Sequence, residues 1–123
     1  MVIALFDTNI LIDYLNGESK AKDTIEQYEQ IAISIISYME VMVGVESNNK
    51  KIVKEFLNSF QIFNFDEKMT DEIVSARNSL KIKLPDAIIL ATARTHKATL
   101  ITRNYKDFPK DTKGVVIPYQ IGE

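Results

Sequence analysis

Short apolar runs alternate along this chain with segments of helical periodicity, and this alternation restricts the fold more than any other feature. The first run, residues 1–6, is continuously hydrophobic and ends at Asp7, which predicts a strand over residues 2–6 that is buried on both faces. Four further candidate strands cover residues 31–36, 60–65, 98–102 and 115–117. Strands that alternate with helices pair in parallel, so the sequence predicts an α/β fold with helices packed on a parallel sheet.

The segments between these strands carry apolar residues at helical spacing. They predict helices over residues 8–15, 19–30, 38–45, 49–59, 69–80 and 86–95. Residues 38–45 are apolar nearly all round. The stripe formed by Met39, Met42 and Val43 is therefore expected either to enter the core or to contact a second subunit or a partner protein.

The composition limits the chemistry that is open to the chain. Its 123 residues match one domain and contain no linker or repeat, so residues 1–123 are expected to form a single domain. There is no cysteine and only one histidine, which excludes disulfides, thiol nucleophiles and Cys-ligated metals. Catalysis must therefore depend on carboxylates, hydroxyls, amides and cations. We find no signal-peptide pattern and no apolar stretch approaching about 20 residues, so we expect a soluble, cytoplasmic protein.

Charge is distributed unevenly along the chain, although the net charge is only −2. Residues 1–30 carry six acids and two lysines, for a net charge of −4, and residues 94–113 carry six basic residues and two acids, for a net charge of +4. A basic segment of this kind is either a solvated surface or a surface that meets phosphates. Arg103 and Lys106 are the candidates within it for contacts with a phosphate backbone.

Acidic and amide side chains follow the predicted strands at the edge where open parallel sheets bind ligands. Asp7 directly follows the first strand, and Glu40 lies in the helix after the second. Asp86 opens the helix before the fourth strand, and Asn104 and Asp107 follow that strand. Carboxylates gathered at one edge repel each other unless a cation neutralises them. Oxygen ligands without His or Cys favour magnesium or manganese, so the sequence predicts a site for one of these ions.

Each of these acids also has a purely structural interpretation. Asp7 can cap the first helix, and Glu40 can close a capping box with Ser37. Asp86 can complement a helix dipole, and Asp107 can belong to a turn. These roles are compatible with metal binding, because a helix N-terminus keeps a carboxylate ionised. Convergence of all four acids at one sheet edge is what the structural interpretation does not predict.

Four segments, in order along the chain, resemble the motifs of the PIN-domain ribonucleases, and in particular those of the VapC toxins of VapBC toxin–antitoxin pairs. They are LFDTNILID at residues 5–13, SYME at 37–40 followed by Gly44, LPDAIILATA at 84–93 and LITRNYKDF at 100–108. The resemblance covers nearly the whole chain. It implies a three-layer α/β/α fold whose five-stranded parallel sheet has the order 3-2-1-4-5.

The resemblance also implies roles for the acids of this sequence. Asp7, Glu40 and Asp86 would form the catalytic site that holds Mg2+ or Mn2+. Many relatives carry Asp where this chain has Asn104, which can give an oxygen to a metal or to its water but supplies no charge. Asp107 is the candidate for the missing fourth catalytic carboxylate, and the number of bound metals stays open. Three hydroxyl residues would lie near the site and orient carboxylates or phosphate, namely Thr8, Ser37 and Thr102.

Together these features predict a metal-dependent endoribonuclease that hydrolyses RNA phosphodiester bonds. The resemblance further implies the toxin of a type II toxin–antitoxin system, a VapB-like antitoxin as its partner and a homodimer. The alternative is a PIN-like module that binds RNA or protein with weak catalysis or none, which Asn104 leaves open. A haloacid-dehalogenase-like phosphatase is disfavoured, because Asn9 stands where that class needs its second acid. A phosphoacceptor receiver is disfavoured because Asp7 has no neighbouring acid.

Overall fold

The computed structural model describes residues 2–109 and 111–121 and contains a five-stranded sheet in the order β3-β2-β1-β4-β5. All four strand pairs are parallel. The strands are β1 (Ile3–Phe6), β2 (Gln30–Ser34), β3 (Gln61–Phe63), β4 (Thr99–Ile101) and β5 (Val115–Val116). The expected α/β class and strand order are therefore confirmed. Met1 of the first apolar run and Lys110 of the basic segment lie outside the described residues.

Six α-helices of the described residues connect and cover the strands. They are α1 (Thr8–Leu15), α2 (Ser19–Glu26), α3 (Ile35–Val43), α4 (Lys50–Leu57), α5 (Thr70–Leu80) and α6 (Leu84–Thr95), with short 3₁₀ turns at Ser47–Asn49 and Glu67–Met69. Within the two described ranges, no helix is both long and apolar enough to cross a membrane.

The sheet separates two apolar clusters, as expected for a three-layer arrangement. Successive residues of β1 alternate between them: Ala4 and Phe6 join the cluster formed with α1, α2 and α4, whereas Leu5 joins the cluster formed with α5 and α6. All three side chains are fully buried. Alternate residues of a strand point to opposite faces, so a strand covered by helices on both sides must be apolar throughout.

The boundary between β2 and α3 differs from the sequence prediction. The strand ends at Ser34 and the helix begins at Ile35, whereas the sequence predicted a strand over residues 31–36 and a helix from residue 38. The cap is Ser34, whose hydroxyl accepts a hydrogen bond from the backbone N–H of Ile36 at 3.1 Å. The predicted capping box of Ser37 and Glu40 is therefore wrong, because both residues lie inside the helix.

The predicted second helix is also too long, for a long-range reason. It covers residues 19–26 rather than 19–30, because Gln30 already pairs with Ile3 in the sheet. The backbone at the end of the polar segment pairs with β1 instead of forming helical hydrogen bonds. Local helical periodicity contains no information about this long-range pairing.

The register of the central strands brings their carboxyl ends to one edge. Leu5 lies opposite Ala32 of β2, and Phe6 lies opposite Ile101 of β4. The backbone N–H of Asp7 donates to the carbonyl of Ile101 at 2.9 Å. The residues that follow β1, β2 and β4 therefore meet above the centre of the sheet, where ligands bind in open α/β folds.

Candidate active site

Asp7 occupies the centre of this edge, between the end of β1 and the start of α1. It is 6% exposed and caps α1, as one of the two sequence interpretations predicted. One carboxylate oxygen, Oδ1, accepts the backbone N–H of Thr8 at 2.7 Å. The other, Oδ2, accepts the hydroxyl of Thr102 at 2.8 Å. Capping and site formation thus use the same carboxylate, and the two bonds fix its orientation.

The surroundings of Asp7 oppose its ionisation. Burial raises the pKa of this carboxyl above its ordinary value, and the hydrogen bonds from Thr102 and Thr8 offset the increase in part. The negative charges of Glu40 and Asp107 raise the pKa further. Asp7 therefore lies close enough to two other acids to feel their charge, as convergence at the sheet edge requires.

Glu40 reaches the site from α3. Its Oε1 accepts a hydrogen bond from the hydroxyl of Thr8 at 2.6 Å, and the hydroxyl oxygens of Thr8 and Ser37 are 3.0 Å apart. Glu40 is exposed, whereas Ser37 is fully buried. Thr8 thus joins the two acids: its backbone contacts Asp7 and its side chain contacts Glu40.

Asp86 enters from the first turn of α6 and is partly buried. Burial, followed by the charges of Asp7 and Asp107, raises its pKa from 3.8 to about 6, while Lys83 lowers it and Glu40 raises it. The same acids that perturb Asp7 also perturb Asp86. Glu40 and Asp107 therefore act electrostatically on both Asp7 and Asp86 at the carboxyl edge of the sheet.

The fourth acidic position is shared by two residues of the loop after β4. The side-chain amide of Asn104 donates to Oδ2 of Asp107, and the backbone N–H of Asn104 donates to the hydroxyl of Thr102 at 3.1 Å. The backbone N–H of Asp107 in turn donates to the carbonyl of Asn104 at 3.3 Å. Asp107 is therefore a turn residue and also a source of negative charge at Asp7 and Asp86.

Sequence reasoning missed Asn9, which joins three parts of the site. Its amide nitrogen donates to the hydroxyl of Thr102 at 3.1 Å and approaches Oδ2 of Asp7 at 3.5 Å. Its carbonyl oxygen accepts the backbone N–H of Arg103 at 3.3 Å. The sequence offered one signal for this role: Asn9 is a polar residue in the first turn of the helix that follows Asp7.

Sequence reasoning also missed Asp13, which the structure shows to be a charged side chain that is only 6% exposed. Its carboxylate accepts hydrogen bonds from Nε and, at 3.1 Å, from Nη2 of Arg103. The hydroxyl of Tyr119 donates to the same carboxylate at 2.8 Å. Arg103, which the sequence predicted as a phosphate contact, therefore has two of its nitrogens engaged by Asp13, while Lys106 is exposed.

The donor set fits a hydrated divalent cation better than an ion enclosed by protein. Across residues 2–109 and 111–121, no three His, Cys, Asp or Glu side chains are grouped so that they could hold a metal ion directly. Mg2+ retains several waters and is commonly held by one or two carboxylates together with substrate phosphates. Neighbouring carboxylates whose charges oppose the ionisation of Asp7 and Asp86 suit such an ion.

Known proteins are similar to this chain in sequence and in fold. The family model of the PIN domain matches residues 4–111. Ribonuclease VapC1 of Rickettsia felis is 33% identical over 119 residues, which cover 86% of this chain and 88% of that protein. A chain of a toxin–antitoxin complex from Klebsiella pneumoniae is 48% identical, with a TM-score of 0.91 over 96% of this chain and 99% of the other. A chain of VapBC2 from Rickettsia felis, solved bound to a DNA fragment from its promoter, is 28% identical, with a TM-score of 0.71 over 85% and 90% of the two chains. The chain therefore belongs to the PIN domain family.

Proposed function

We propose that this chain is a metal-dependent endoribonuclease, the toxin of a type II toxin–antitoxin system, acting in the cytoplasm as a single PIN-like domain. The observation that carries the proposal is that Thr8 bonds both Asp7 and Glu40 at the carboxyl edge of the sheet, where the charges of Glu40 and Asp107 act on Asp7 and on Asp86. Such a cluster is unfavourable in isolation, and a divalent cation would offset the repulsion both among the carboxylates and between them and an anionic phosphodiester. The names of the similar proteins, Ribonuclease VapC1 and a toxin–antitoxin complex, support the same activity.

In this proposal the carboxylates of Asp7, Glu40 and Asp86 would hold Mg2+ or Mn2+ largely through the waters of the ion, and the amide oxygen of Asn104 would contact the ion or one of its waters. When bound, the cation stabilises the negative charge that develops on the phosphodiester and supports attack by water. Asp107 supplies the fourth carboxylate, because position 104 holds an asparagine where many relatives have an aspartate.

The remaining polar residues of the site hold these groups in position. Thr102 and Thr8 fix the carboxylates of Asp7 and Glu40, and Ser37 supports Thr8. Lys106 and Nη1 of Arg103, which Asp13 does not contact, meet the phosphate backbone of RNA.

We propose a VapB-like antitoxin as partner, bound along a groove between α1, α3 and α4. The groove has a volume of about 600 Å³, and its walls include Ile12, Leu15, Val41 and Ile52. Glu40 also lines it, so a segment lying in the groove would cover part of the acidic edge. Met39 and Val43 of the predicted stripe are 49% and 87% exposed and extend the apolar surface on α3, whereas Met42 packs against the core.

We further propose that the protein is a homodimer that uses a second apolar surface. Phe65, Val74 and Leu84 are 50%, 49% and 51% exposed and lie together with Ile73 and Ile88 around one shallow depression. Clustered exposed side chains of this size mark interaction surfaces more often than isolated ones do. This surface is formed by α5, α6 and the segment after β3, so a second subunit bound there would leave the groove at α1, α3 and α4 open.

A cleavage assay on pooled tRNA and mRNA tests the activity. We expect the wild-type chain to cleave RNA with Mg2+ or Mn2+ and not with a chelator. Asp7→Asn should abolish cleavage and retain the fold, because asparagine is also a good helix cap. Asp23→Asn, which removes an exposed acid on α2, is the matched control and should cleave as the wild type does.

A PIN-like module that binds RNA or protein with little catalysis is the second candidate. It is favoured by the amide at position 104 and by the lack, among the described residues, of three acids grouped tightly enough to enclose an ion. Absence of metal-dependent cleavage in every reaction, with RNA binding retained, would support this candidate over the nuclease.

A further inference from the structure

We propose that a cleft beside the acidic edge binds one nucleotide of single-stranded RNA, next to the phosphate that is cleaved; this inference rests on the proposed function. The cleft has a volume of about 210 Å³ and lies between the loop after β4 and the C-terminal segment. Its lining residues are Arg103, Asn104, Tyr105, Lys106, Gln120 and Ile121.

The cleft is continuous with the candidate active site through Asn104. The side chain of Asn104 contacts Asp107, its backbone contacts Thr102, and the residue also lines the cleft. Thr102 in turn holds the carboxylate of Asp7. An RNA chain whose scissile phosphate lies at the acids would therefore bring an adjoining nucleotide to this cleft.

The walls of the cleft combine the groups that bind unpaired nucleotides. Tyr105 is 49% exposed, and Nζ of Lys106 lies 5.9 Å from the centroid of its ring. An exposed aromatic ring beside a cation offers a stacking surface for a base and a contact for its phosphate. The amides of Asn104 and Gln120 add hydrogen-bonding groups that can meet a base edge.

Both walls are fixed to the body of the domain. Asp13 binds Nε and Nη2 of Arg103 and accepts the hydroxyl of Tyr119, so it joins the loop after β4 to the C-terminal segment. Nζ of Lys20 donates to the backbone carbonyl of Gln120 at 3.4 Å. Asp13 does not contact Nη1 of Arg103, so this nitrogen can bind a phosphate. Because the walls are already held in place, the cleft loses little conformational entropy when a ligand binds.

The chemistry favours RNA over an acidic peptide. The cations alone would suit either ligand, but a half-exposed aromatic ring flanked by amides offers a base a stacking partner and a hydrogen-bonding edge. We therefore assign the cleft to a nucleotide, and a probe that carries phosphates without bases serves as the comparison.

Binding is measured with the full chain in the presence of a chelator, by fluorescence anisotropy of a labelled oligoadenylate of about 12 nucleotides, a length typical of single-strand binding sites. Polyphosphate of matched charge is the competitor that lacks bases. We expect Tyr105→Leu to weaken binding of the oligoadenylate by at least about 5-fold and to leave competition by polyphosphate unchanged. Tyr105→Phe retains the ring and should bind as the wild type does.

Lys106→Gln tests the phosphate contact. It should weaken binding of both probes and reduce the slope of log affinity against log salt by about 0.7, the value for one phosphate contact to a single strand. Lys113→Gln is the matched control, because Lys113 is exposed and lies before β5, at the amino ends of the strands rather than at their carboxyl ends. Equal binding of oligoadenylate by wild type, Tyr105→Leu and Lys106→Gln would overturn the proposal. So would a loss in Tyr105→Leu that is the same for both probes.

Cleavage kinetics with Mg2+ separate this inference from the proposed function. If the chain is a nuclease and the cleft is a subsite, Tyr105→Leu raises KM for RNA several-fold with little change in kcat. Cleavage by the wild type with an unchanged KM in Tyr105→Leu would overturn the subsite alone. Loss of RNA binding in Tyr105→Leu, in a chain that cleaves no RNA with any metal, would support nucleotide binding by the cleft and overturn the nuclease, and with it the placement of the cleft beside a cleaved phosphate.

Discussion

The guanidinium of Arg103 donates two hydrogen bonds to the carboxylate of Asp13, a residue 90 positions earlier in the chain. The side chain of Asp13 is 8% exposed and that of Arg103 is 34% exposed. The pair joins the end of α1 to the loop that carries Asn104 and Asp107, and the pKa of Arg103 is raised by its hydrogen bond to Asp13. A contact that is remote from the acids therefore positions part of the candidate site.

Removal of the buried carboxylate should destabilise the fold. We expect Asp13→Asn to lower the free energy of unfolding by about 2 kcal/mol, because charge-assisted hydrogen bonds contribute about 1.5–3 kcal/mol each and the exposed side of Arg103 can regain water. Tyr119→Phe, which removes one hydrogen bond, should lower it by about 1 kcal/mol. Urea unfolding measures both effects, and a midpoint for Asp13→Asn equal to that of the wild type would contradict the structural role of the pair.

Thr8 should matter more for activity than for stability. Thr8→Val removes the hydroxyl that donates to Glu40 at 2.6 Å and keeps the backbone N–H that donates to Asp7. Loss of a residue that orients a metal ligand typically reduces metal affinity or activity by about 10- to 100-fold, so we expect weaker Mg2+-dependent cleavage with a nearly unchanged Tm. Thr8→Ser keeps the hydroxyl and should restore most of the rate. Equal activity of the valine and serine variants would show that the contact is unimportant.

The stability of the metal-free protein should fall as pH rises through a defined range. Asp86 has a pKa of 3.8 in its ordinary state and about 6 in the folded chain. Between these values the unfolded chain has lost the proton that the folded chain retains, so raising the pH favours unfolding until both forms are ionised. The raised pKa of Asp7 acts in the same direction. We expect the Tm of the wild type to decrease from about pH 4 to about pH 6 more steeply than that of Asp86→Asn.

Thermal unfolding over a pH series in a chelator measures this difference. Asp23→Asn, whose carboxyl is exposed, should follow the wild type. Parallel curves for Asp86→Asn and the wild type would show that Asp86 ionises in the folded chain as it does in the unfolded chain.

Added Mg2+ should offset, at neutral pH, the loss of stability caused by ionisation of Asp7 and Asp86. A cation that binds only the folded chain stabilises it by about 1.4 kcal/mol when its concentration is ten times its Kd. We expect a rise in Tm for the wild type that is larger at neutral pH than near pH 4, where the carboxyl of Asp86, with its pKa of about 6, is protonated. Asp7→Asn should show a smaller rise than the wild type at matched ionic strength. An equal rise in both would place the bound cation elsewhere.

The apolar surface on α5 and α6 predicts the oligomeric state. Val74 is 49% exposed on that surface, so Val74→Asp adds a charge there without disturbing the buried core. If the surface forms the homodimer, the variant should elute as a folded monomer in size-exclusion chromatography with light scattering. Ile52→Asp, in the groove beside α4, is the control and should leave the dimer intact. A variant at position 74 that remains dimeric would exclude this surface.

Much of the fold was accessible from local sequence patterns. The run that forms β1 is apolar at every position because helices cover both faces of that strand, and its end at Asp7 marks the site edge. The boundaries that failed did so for long-range reasons. Gln30 leaves its predicted helix to pair with β1. Ser34 rather than Ser37 caps α3, because β2 ends at Ser34, two residues before the predicted end at residue 36.

The sequence by itself determined which side chains stand after the strands and that these are acids, because strand ends and residue types are local properties. Only the tertiary structure decided how they are held. Arg103 pairs with Asp13, and Thr102 with Asp7, because β1 and β4 are neighbours in the sheet although about 95 residues separate them in the chain. Partner choice among charged residues depends on this adjacency, and no local pattern in the sequence encodes it.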